Sequence, residues 1–409
     1  MNIVVVNDYG FLNGGAGKVA FDTAILMSQA GHRVILFTAV DPIEVALKAN
    51  GVEVVSTHQL EFLHYKNKIR GGLTGLWNIK AAKQLAHLLA KLDPHETVVH
   101  VHGWTKALSA SIFRTIGRMQ FPCVITGHDY FLLCPNGAFY DYQTQQICPR
   151  KPLSLACLCC NCDKRSYAQK LYRSVRLVIQ RKALSSFSWN IIYISDFSKK
   201  IIQPQLHFPY VKEYFARNPV TVSVHEQRVP KKNKYFIYIG RIDPEKGVDL
   251  FCEAVCRLGA FGVIIGEGSE RHSLMKHYAD YKKLIFTGWL QQPEWHRWLE
   301  QGKALVFPSK WYEGAPLSIL ETQFQYKIPA IVPDRCAASE YVMSGQNGLV
   351  FQSGSLQSLI DTMTTMESSY GNFFSNENEA ELYATETHDY AAETYGENIE
   401  NIYRSILKS

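Results

Sequence analysis

The 409-residue sequence contains no long run of hydrophobic residues. The first apolar stretch, Ile3–Val6, follows Met1-Asn2 directly. It is too short for the apolar region of a signal peptide, and no basic segment precedes it. No later run approaches the ~20 residues that span a bilayer. These absences predict a chain that is made and kept in the cytoplasm.

The sequence also lacks short-period repeats and low-complexity tracts. With 46% hydrophobic and 20% charged residues, it has the composition of a globular protein with two or three cores. Disordered, collagen-like and small disulfide-stapled proteins are therefore excluded. Ten cysteines are present, but six of them crowd between Cys134 and Cys162, so disulfides are not the first expectation.

Carboxylates are scarce in the first half of the chain. Residues 1–217 hold 25 Lys and Arg against 13 Asp and Glu, whereas the remainder holds 18 against 24. A basic half joined to an acidic half indicates that one half faces an anionic partner. Nucleic acid, a phosphorylated substrate and the inner-leaflet surface of a membrane are all negatively charged and could be this partner.

No carboxylate residue occurs between Asp163 and Asp196, although this segment contains seven Lys and Arg residues. A basic helix with Tyr167, Leu171 and Leu177 among its cations suits a membrane surface or a lipid-diphosphate acceptor. A solvated helix face is the alternative. We expect no nucleic-acid partner, because no recognised nucleic-acid module accompanies the charge.

Strand-like runs alternate with helical stretches in both halves. The run Ile3–Val6, a glycine-rich loop, a helix from about Lys18 to Ala30 and a strand at Arg33–Thr38 follow one another as in a doubly wound unit. The pattern begins again at Tyr235–Gly240, after a linker-like stretch that starts at Asn218-Pro219. The sequence therefore predicts an α/β protein with two Rossmann-like, doubly wound domains.

We predict three segments along the chain. The N-terminal domain covers residues 1–216 and carries a cysteine-rich insertion at 134–162, and the C-terminal domain covers residues 217–385. Residues 386–409 have helical composition, with Gly396 as their one glycine. We expect them to form a C-terminal helix that packs back on the N-terminal domain.

The loop after the first strand reads Gly14-Gly15-Ala16-Gly17-Lys18. It is longer than the tight turn of the dinucleotide fingerprint, and it lacks the residues of a P-loop around Gly17-Lys18. Backbone N–H groups of Gly15 and Gly17 at a helix start can still hold an anion, because no side chain stands in the way. The alternative is a loop that only turns the chain.

Two motifs in the second half carry charges suited to a nucleotide. Arg241 and Lys246 lie five residues apart on the loop leaving a strand, where they could neutralise a diphosphate. A solvated turn has the same composition. Glu313 and Glu321 bracket Gly314-Ala315-Pro316 and a helix start, so both carboxylates can face one cleft. A capped helix with an ordinary exposed glutamate is the alternative.

The insertion carries cysteine pairs at metal-ligand spacing. Cys157-x2-Cys160 and Cys159-x2-Cys162 overlap, and two earlier cysteines could complete a four-sulfur structural zinc site. Reduced buried cysteines and a disulfide are the alternatives, because spacing alone does not name the ligands. The candidate metal ligands are Cys134, Cys148, Cys157, Cys160 and Cys162.

The order of these motifs resembles that of a known family, the retaining glycosyltransferases of the GT-B fold, family four. The resemblance covers, in order, Gly240-Arg241 with Lys246, Gly266-Glu267-Gly268, Gly288-Trp289-Leu290, Glu313 to Glu321, Glu340 and Asn347-Gly348-Leu349-Val350. The Gly14–Gly17 loop and His128 extend it to the first half. The resemblance implies two domains that face a central cleft.

The resemblance also implies roles for single residues. Arg241 and Lys246 would bind the nucleotide diphosphate, and Glu321 would take the ribose hydroxyls. Glu313 and His128 would be the catalytic residues, the first holding the donor sugar and the second lying near it. The donor-binding residues implied are Gly15, Gly17, Arg241, Lys246, Glu267, Leu290, Leu317, Ser318 and Glu321.

The function implied is transfer of a sugar, with retention, from a nucleotide sugar to a glycan or polyprenyl-diphosphate-linked glycan in surface polysaccharide biosynthesis. A UDP-sugar is the first expectation for the donor. No catalytic cofactor is expected, because cations and a helix N-terminus stabilise a leaving diphosphate. The alternatives are a nucleotide-sugar-binding scaffold without turnover and an epimerase or phosphorylase of the same fold. We expect a cytoplasmic protein, with contact to the cytoplasmic face of a membrane as a further expectation.

Overall fold

The structure is a computed structural model that describes residues 1–206, 211–220, 233–290, 292–370, 373 and 389–408. These residues form two parallel sheets, each lying between two hydrophobic clusters. The predicted α/β fold with two doubly wound domains is confirmed. The Pro230 and Lys231-Lys232 part of the predicted linker lies outside the described residues, as does the predicted domain end at residue 385.

The N-terminal domain is built on buried apolar strands, as a parallel sheet covered on both faces requires. Its strands are β1 (Asn2–Val6), β2 (Arg33–Thr38), β3 (Glu53–Ser56), β4 (Thr97–Val101), β5 (Cys123–Thr126), β6 (Tyr140–Asp141), β7 (Gln146–Ile147), β8 (Trp189–Tyr193) and β9 (Val211–Phe215). The parallel order is β3-β2-β1-β4-β5-β8-β9, with Ile3 of β1 beside Val34 and Val98.

Helices cover this sheet. They are α1 (Gly15–Gln29), α2 (Val45–Ala49), α3 (Lys68–Leu76), α4 (Ile79–Leu89), α5 (Ser111–Arg118), α6 (Leu155–Leu158), α7 (Tyr167–Leu184) and α8 (Asp196–Ile202). Asn67, Asn78, Ser166 and Ser195 precede α3, α4, α7 and α8, and each side chain accepts a hydrogen bond from the helix's free amides. Polar caps of this kind fix where a helix begins.

The C-terminal domain repeats the arrangement. Its strands are β10 (Tyr235–Ile239), β11 (Phe261–Ile265), β12 (Leu284–Gly288), β13 (Gly302–Val306), β14 (Ala330–Pro333) and β15 (Gly348–Phe351), in the order β12-β11-β10-β13-β14-β15. Its helices are α9 (Val248–Leu258), α10 (Arg271–His277), α11 (Gln292–Leu299), α12 (Leu317–Tyr326) and α13 (Leu356–Ser368). In both sheets the strand order therefore reverses beside the first strand, which is where ligands of such sheets bind.

The last helix, α14 (Ala392–Leu407), packs on the N-terminal domain. Its apolar residues join the core beside β1 and α1: Tyr395, Ile399, Ile402, Tyr403 and Ile406. The Tyr403 hydroxyl lies 2.6 Å from His100 Nδ1 inside this core, and the Tyr395 hydroxyl lies 2.7 Å from Thr23 Oγ1. The C-terminal helix α14 is thus part of the hydrophobic core of the N-terminal domain.

The cysteine-rich insertion forms the antiparallel pair β6–β7 and the one-turn helix α6. It contacts the C-terminal domain, because Gln145 accepts a hydrogen bond of 3.1 Å from Lys310 and the ring of Phe139 lies 6.5 Å from that of Tyr312. Lys164, two residues after the insertion, adds an ion pair at 3.1 Å from Asp243. The insertion is therefore a bridge between the domains as well as a surface feature.

Candidate functional site

A cavity of about 310 Å³ lies between the two sheets. It is lined from the N-terminal side by Gly15, Ala16, His128, Ile194 and Asn218, and from the C-terminal side by Tyr238, Ile239, Gly240, Lys246, Phe307, Glu313, Gly314, Ala315, Pro316, Leu317 and Ser318. These residues lie at or after the carboxyl ends of β1, β5, β8, β9, β10 and β13, or they begin the helices α1 and α12. The cavity thus occupies the reversal point of both sheets.

Two helices begin at this cavity, one from each domain. Gly14 precedes α1 with a φ of 82°, a backbone conformation open to glycine, and Pro316 precedes α12. Neither helix start is capped by a side chain. A Cβ atom on Gly15 would lie 4.0 Å from Leu317 Cδ1, so the two starts are adjacent. Two adjacent helix N-termini with free amides form an anion-binding site.

Lys246 and Glu313 form an ion pair on the C-terminal wall of the cavity, and both side chains are mostly buried. Ser309 Oγ and Trp311 Nε1 also donate to Glu313 Oε1, at 3.1 and 2.5 Å. The ammonium group of Lys246 lies 5.2 Å from the centre of the Trp311 ring. Three donors therefore hold one carboxylate oxygen in place.

Arg241 does not line the cavity in this structure. Its side chain is 61% exposed and lies 2.7 Å from Asp243 Oδ2 and 3.6 Å from Glu245 Oε1. Burial alone would raise the pKa of Asp243, but hydrogen bonds from Ser269 and the charge of Arg241 lower it to about 2. Arg241 is thus held at the rim, one residue beyond Gly240.

Four other predicted residues lie outside the cavity lining. Glu321 stands in the second turn of α12, where burial raises its pKa and nearby Lys18 opposes the rise. Glu267 lies 3.4 Å from Arg271, beside the Gly288 turn. The two remaining residues are Leu290, which is buried in the C-terminal core, and Gly17, which is buried in the first turn of α1.

The structure therefore brings Gly15, His128, Lys246, Glu313 and Leu317 with Ser318 around one cavity. Arg241, Glu267, Leu290 and Glu321 belong to the same domain, but the structure does not place them on the cavity wall. Their roles in donor binding remain predictions.

His128 ends a row of three histidines, of which His100 and His102 are buried and His128 is half-buried at the cavity wall. Its Nε2 atom lies 2.9 Å from His102 Nδ1, and the ring of His102 lies 4.0 Å from that of His100. Burial lowers the pKa of His128 to about 4 and that of His100 to about 3, and it lowers the pKa of His102 as well. All three rings are therefore neutral near pH 7.

His102 was missed in the sequence, although His100-Val101-His102 places two histidines on the same side of one strand. Its Nε2 atom is buried and has no hydrogen-bond partner among the described residues. Asn218, interpreted only as the start of the linker, also lines the cavity, and its buried Oδ1 has no partner among those residues either. The dipeptide Asn218-Pro219 gave no signal beyond that of a turn.

All ten cysteines are unpaired, so the insertion is not held by a disulfide in this structure. Cys134 Sγ lies 3.1 Å from Asn136 Oδ1, and Cys160 Sγ lies 3.3 Å from Asp141 Oδ2. Within the described ranges, no group of three or more His, Cys, Asp or Glu side chains could hold a metal ion. The zinc site predicted from the sequence, which includes Cys148, Cys157 and Cys162, therefore stays a prediction. The cysteine side chains of the described residues are not grouped as metal ligands.

No helix in the described part of the chain is long and apolar enough to cross a membrane.

Two doubly wound domains that face one anion-binding cleft define the GT-B class of glycosyltransferases. The family models agree: residues 13–220 match the model of Glycosyltransferase Family 4, and residues 222–382 match that of Glycosyl transferases group 1. The chain belongs to this glycosyltransferase family. The predicted family is thereby confirmed.

The chain shares low sequence identity with the following relatives. The chain is 22% identical to an uncharacterised 42.6 kDa protein in the cps region of Klebsiella pneumoniae, over 80% of this chain and 84% of that protein. It is 15% identical to sucrose-phosphate synthase of Thermosynechococcus elongatus (TM-score 0.71), over 100% of this chain and 99% of that one. At this identity the likeness shows the fold alone.

Two further solved structures have the same fold. The lipopolysaccharide outer core galactosyltransferase WaaB is 15% identical with a TM-score of 0.65, and 99% of each chain is covered. HepE of Anabaena, solved with UDP-glucose, is 14% identical with a TM-score of 0.66, over 99% of this chain and 100% of that one.

Proposed function

We propose that this chain is a retaining glycosyltransferase that moves a sugar from a nucleotide-diphosphate sugar to a glycan or lipid-linked glycan during the biosynthesis of a surface polysaccharide. The observation that carries the proposal is the cavity where α1 and α12 begin side by side, with Lys246 and Glu313 on its wall. Helix amides and a lysine recognise a diphosphate, and a held carboxylate recognises sugar hydroxyls.

In this proposal the diphosphate lies between the two helix starts. Amides near Gly15 from one domain and near Leu317 and Ser318 from the other reach its oxygens, and Lys246 adds a full positive charge. Arg241 needs to leave Asp243 to reach the same group, and its 61% exposure leaves it free to turn. Charge that develops on the leaving diphosphate is then stabilised by groups already in place.

The donor sugar lies next to Glu313. The three donors that reach this carboxylate all bind Oε1, so Oε2 is the oxygen that accepts from sugar hydroxyls. Glu321 stands about one helical turn after Leu317 on α12, and its carboxylate accepts hydrogen bonds from the ribose hydroxyls. Glu321 is half-buried, so a bound ribose could still reach its carboxylate.

His128 faces the sugar from the N-terminal wall. It is neutral near pH 7 because burial lowers its pKa to about 4, so it acts as a hydrogen-bonding group and not as a cation. In the transfer, the bond between the anomeric carbon and the diphosphate oxygen breaks. A bond to the acceptor oxygen forms on the same face, and the acceptor proton leaves with the diphosphate.

UDP is the nucleotide we expect, since HepE was solved in complex with UDP-glucose and shares this fold. A polysaccharide context is supported by the relative encoded in the cps region of Klebsiella pneumoniae and by the outer core galactosyltransferase WaaB. A lipid-linked acceptor suits the basic charge of the N-terminal domain, which forms the other wall of the cleft.

The test combines binding with product analysis. Melting temperatures are measured with UDP-glucose, UDP-galactose, UDP-N-acetylglucosamine and GDP-mannose, because a ligand of the folded form raises the melting temperature. The nucleotide sugar that binds is then incubated with lipid extract, and the anomeric configuration of the product is read by NMR. Retained configuration supports the proposal, whereas inversion contradicts it.

Two other outcomes would favour the alternative functions. Binding without any transfer would favour a nucleotide-sugar-binding scaffold, and conversion of the nucleotide sugar without acceptor would favour an epimerase or a phosphorylase. A chelator is included in a parallel series. If chelator lowers the melting temperature, a structural metal is present, and the cysteine insertion is the first place to look for it.

A further inference from the structure

Two segments of the N-terminal domain contain no carboxylate at all. One lies between Glu61 and Asp93 and includes α3 and α4, and the other lies between Asp163 and Asp196 and includes α7. Their cations are Lys66, Lys68, Arg70, Lys80, Lys83 and Lys91 in the first, and Lys164, Arg165, Lys170, Arg173, Arg176, Arg181 and Lys182 in the second. None of these cations lines the cavity between the domains.

The two segments pack against each other. The Tyr172 hydroxyl on α7 donates a hydrogen bond of 2.7 Å to the carbonyl of Gly72 on α3. The guanidinium of Arg176 lies 5.2 Å from the ring centre of Phe62, just before α3. Gly75 allows the close approach, because a Cβ atom there would lie 2.2 Å from the Tyr172 hydroxyl. Helices α3 and α7 are therefore in direct contact.

Large hydrophobic side chains stand exposed on both segments. Of the fourteen that are exposed among the described residues, seven lie in these two segments. On α3, Ile69 is 76% exposed and Leu73 62%; on α7, Leu171 is 40% exposed, Val175 50% and Val178 53%. Spacings of four and three residues place them in outward stripes along each helix.

Exposed cations stand beside these stripes, on the same helices and the residues just before them. Lys66, Lys68 and Arg70 flank Ile69 and Leu73, and Lys182 stands one turn beyond Val178 on α7. Apolar stripes beside cations, without carboxylates, match the boundary between acyl chains and anionic head groups of a bilayer. An acidic protein partner would match the charge, but it would not require an exposed apolar stripe on each of two adjacent helices.

We propose that the face formed by Ile69, Leu73, Leu171, Val175 and Val178 with their neighbouring cations, called here the docking face, binds the surface of an anionic lipid bilayer. Gln180 of α7 donates a 3.1 Å hydrogen bond to the carbonyl of Phe131, three residues after His128. Docking therefore holds the N-terminal wall of the cleft close to the membrane. A lipid-linked acceptor in the membrane would then lie near the cleft, and this consequence rests on the proposed function. The proposed binding to a bilayer does not rest on it.

The test is flotation of the purified full-length chain with vesicles of phosphatidylcholine, alone or mixed with phosphatidylglycerol. Wild type should float with the mixed vesicles, and added salt should reduce the bound fraction. The double variant Val175→Ser/Val178→Ser should bind about tenfold more weakly, because its apolar contact with the bilayer is lost. Replacing Lys66, Lys68 and Arg70 by Gln should weaken binding to the mixed vesicles in the same direction.

The matched control is Val45→Ser/Val350→Ser, which removes two exposed valines outside the docking face and should bind vesicles like wild type. Absence of wild-type binding, equal binding to both kinds of vesicle, or unchanged binding by the docking-face variant would each overturn the proposal. The rise in melting temperature with UDP is measured for every variant. It should be the same in all of them, so a failed donor site and a failed docking face give different results.

Discussion

The two sheets share the order of six strands, to which the N-terminal sheet adds the edge strand β9, and the two domains use this shared order in different ways. After β1, the N-terminal domain places glycine and a helix start at the cavity, and after β5 it adds the neutral His128. The C-terminal domain provides Lys246 and the rim residue Arg241 after β10, and Glu313 after β13. The fold sets where a ligand binds, and the loops decide what each domain contributes. We infer that the C-terminal domain binds the donor through charged side chains, whereas the N-terminal domain adds uncharged groups: helix amides near Gly15 for binding, and His128 for turnover.

The largest effect should come from the charged pair of the C-terminal domain. Lys246→Met and Glu313→Gln should each lower kcat/KM by about 10² to 10³, as the loss of one preorganised electrostatic group does elsewhere. Release of UDP from the donor measures this. The control is Lys303→Met, since Lys303 pairs with Glu367 outside the cavity. If Lys303→Met lowered kcat/KM as much as Lys246→Met, the assignment of Lys246 to the donor site would be contradicted.

Substitution of His128 on the N-terminal wall should have a smaller effect, which falls on kcat and not on the KM for the donor. His128→Ala should lower kcat by about 10² while the KM for the donor changes little, because a positioned group acts mainly in the transition state. In the wild type, kcat should not fall between pH 8 and pH 6 through this group, since its pKa is about 4. A rise in donor KM without a change in kcat would place His128 in donor binding instead.

The same histidines should make the stability of the N-terminal domain depend on pH. His100 and His128 stay neutral in the fold, with pKa values of about 3 and 4, but take up protons near pH 6.5 once unfolded. Stability should therefore fall as the pH is lowered from 7 towards 4, because the unfolded state binds more protons. Urea unfolding at several pH values measures it, and constant stability across that range would contradict the burial of these rings.

The C-terminal helix should behave as part of the N-terminal domain. Ile399→Ala removes a fully buried side chain between α14 and the N-terminal core and should cost about 2 to 5 kcal/mol of unfolding free energy. Thermal unfolding with and without UDP separates the domains, because the nucleotide stabilises the part that binds it. Ser405→Ala, at the helix surface, is the control, and equal effects of both variants would contradict this packing.

The smallest effect concerns the bridge between the domains. Lys164→Gln removes a partly exposed ion pair with Asp243, and such pairs contribute about 0.2 to 1 kcal/mol. The KM for the donor should change by less than about fivefold, and salt should diminish the difference. Arg165→Gln, one residue further along, should have no effect. A large loss of activity in Lys164→Gln would show that Lys164 acts in the site itself.

Much of the fold follows from the sequence, because buried parallel strands read as uninterrupted apolar runs. Ile3–Val6 and Arg33–Thr38 were predicted in this way, and the structure has strands at Asn2–Val6 and Arg33–Thr38. Edge strands carry weaker signals. The strand Val211–Phe215 contains Lys212 and Glu213, charges that an edge of a sheet tolerates and that hide it from the pattern.

The site was predicted only in part, since a motif fixes where a residue stands but not where its side chain lies. Arg241 was expected at the diphosphate, yet Asp243 two residues later holds it at the rim. His102 and Asn218 reach the cavity region through contacts between distant segments, and nothing next to them in the sequence indicates those contacts.

The division of labour between the domains is tested most directly by titration calorimetry of UDP into wild type, Lys246→Met and His128→Ala, with chelator present. The account predicts that wild type and His128→Ala bind UDP with similar affinity, while Lys246→Met binds at least about tenfold more weakly, because a charge-assisted contact with the diphosphate is lost. Equal binding by all three proteins, or loss of binding in His128→Ala alone, would contradict it.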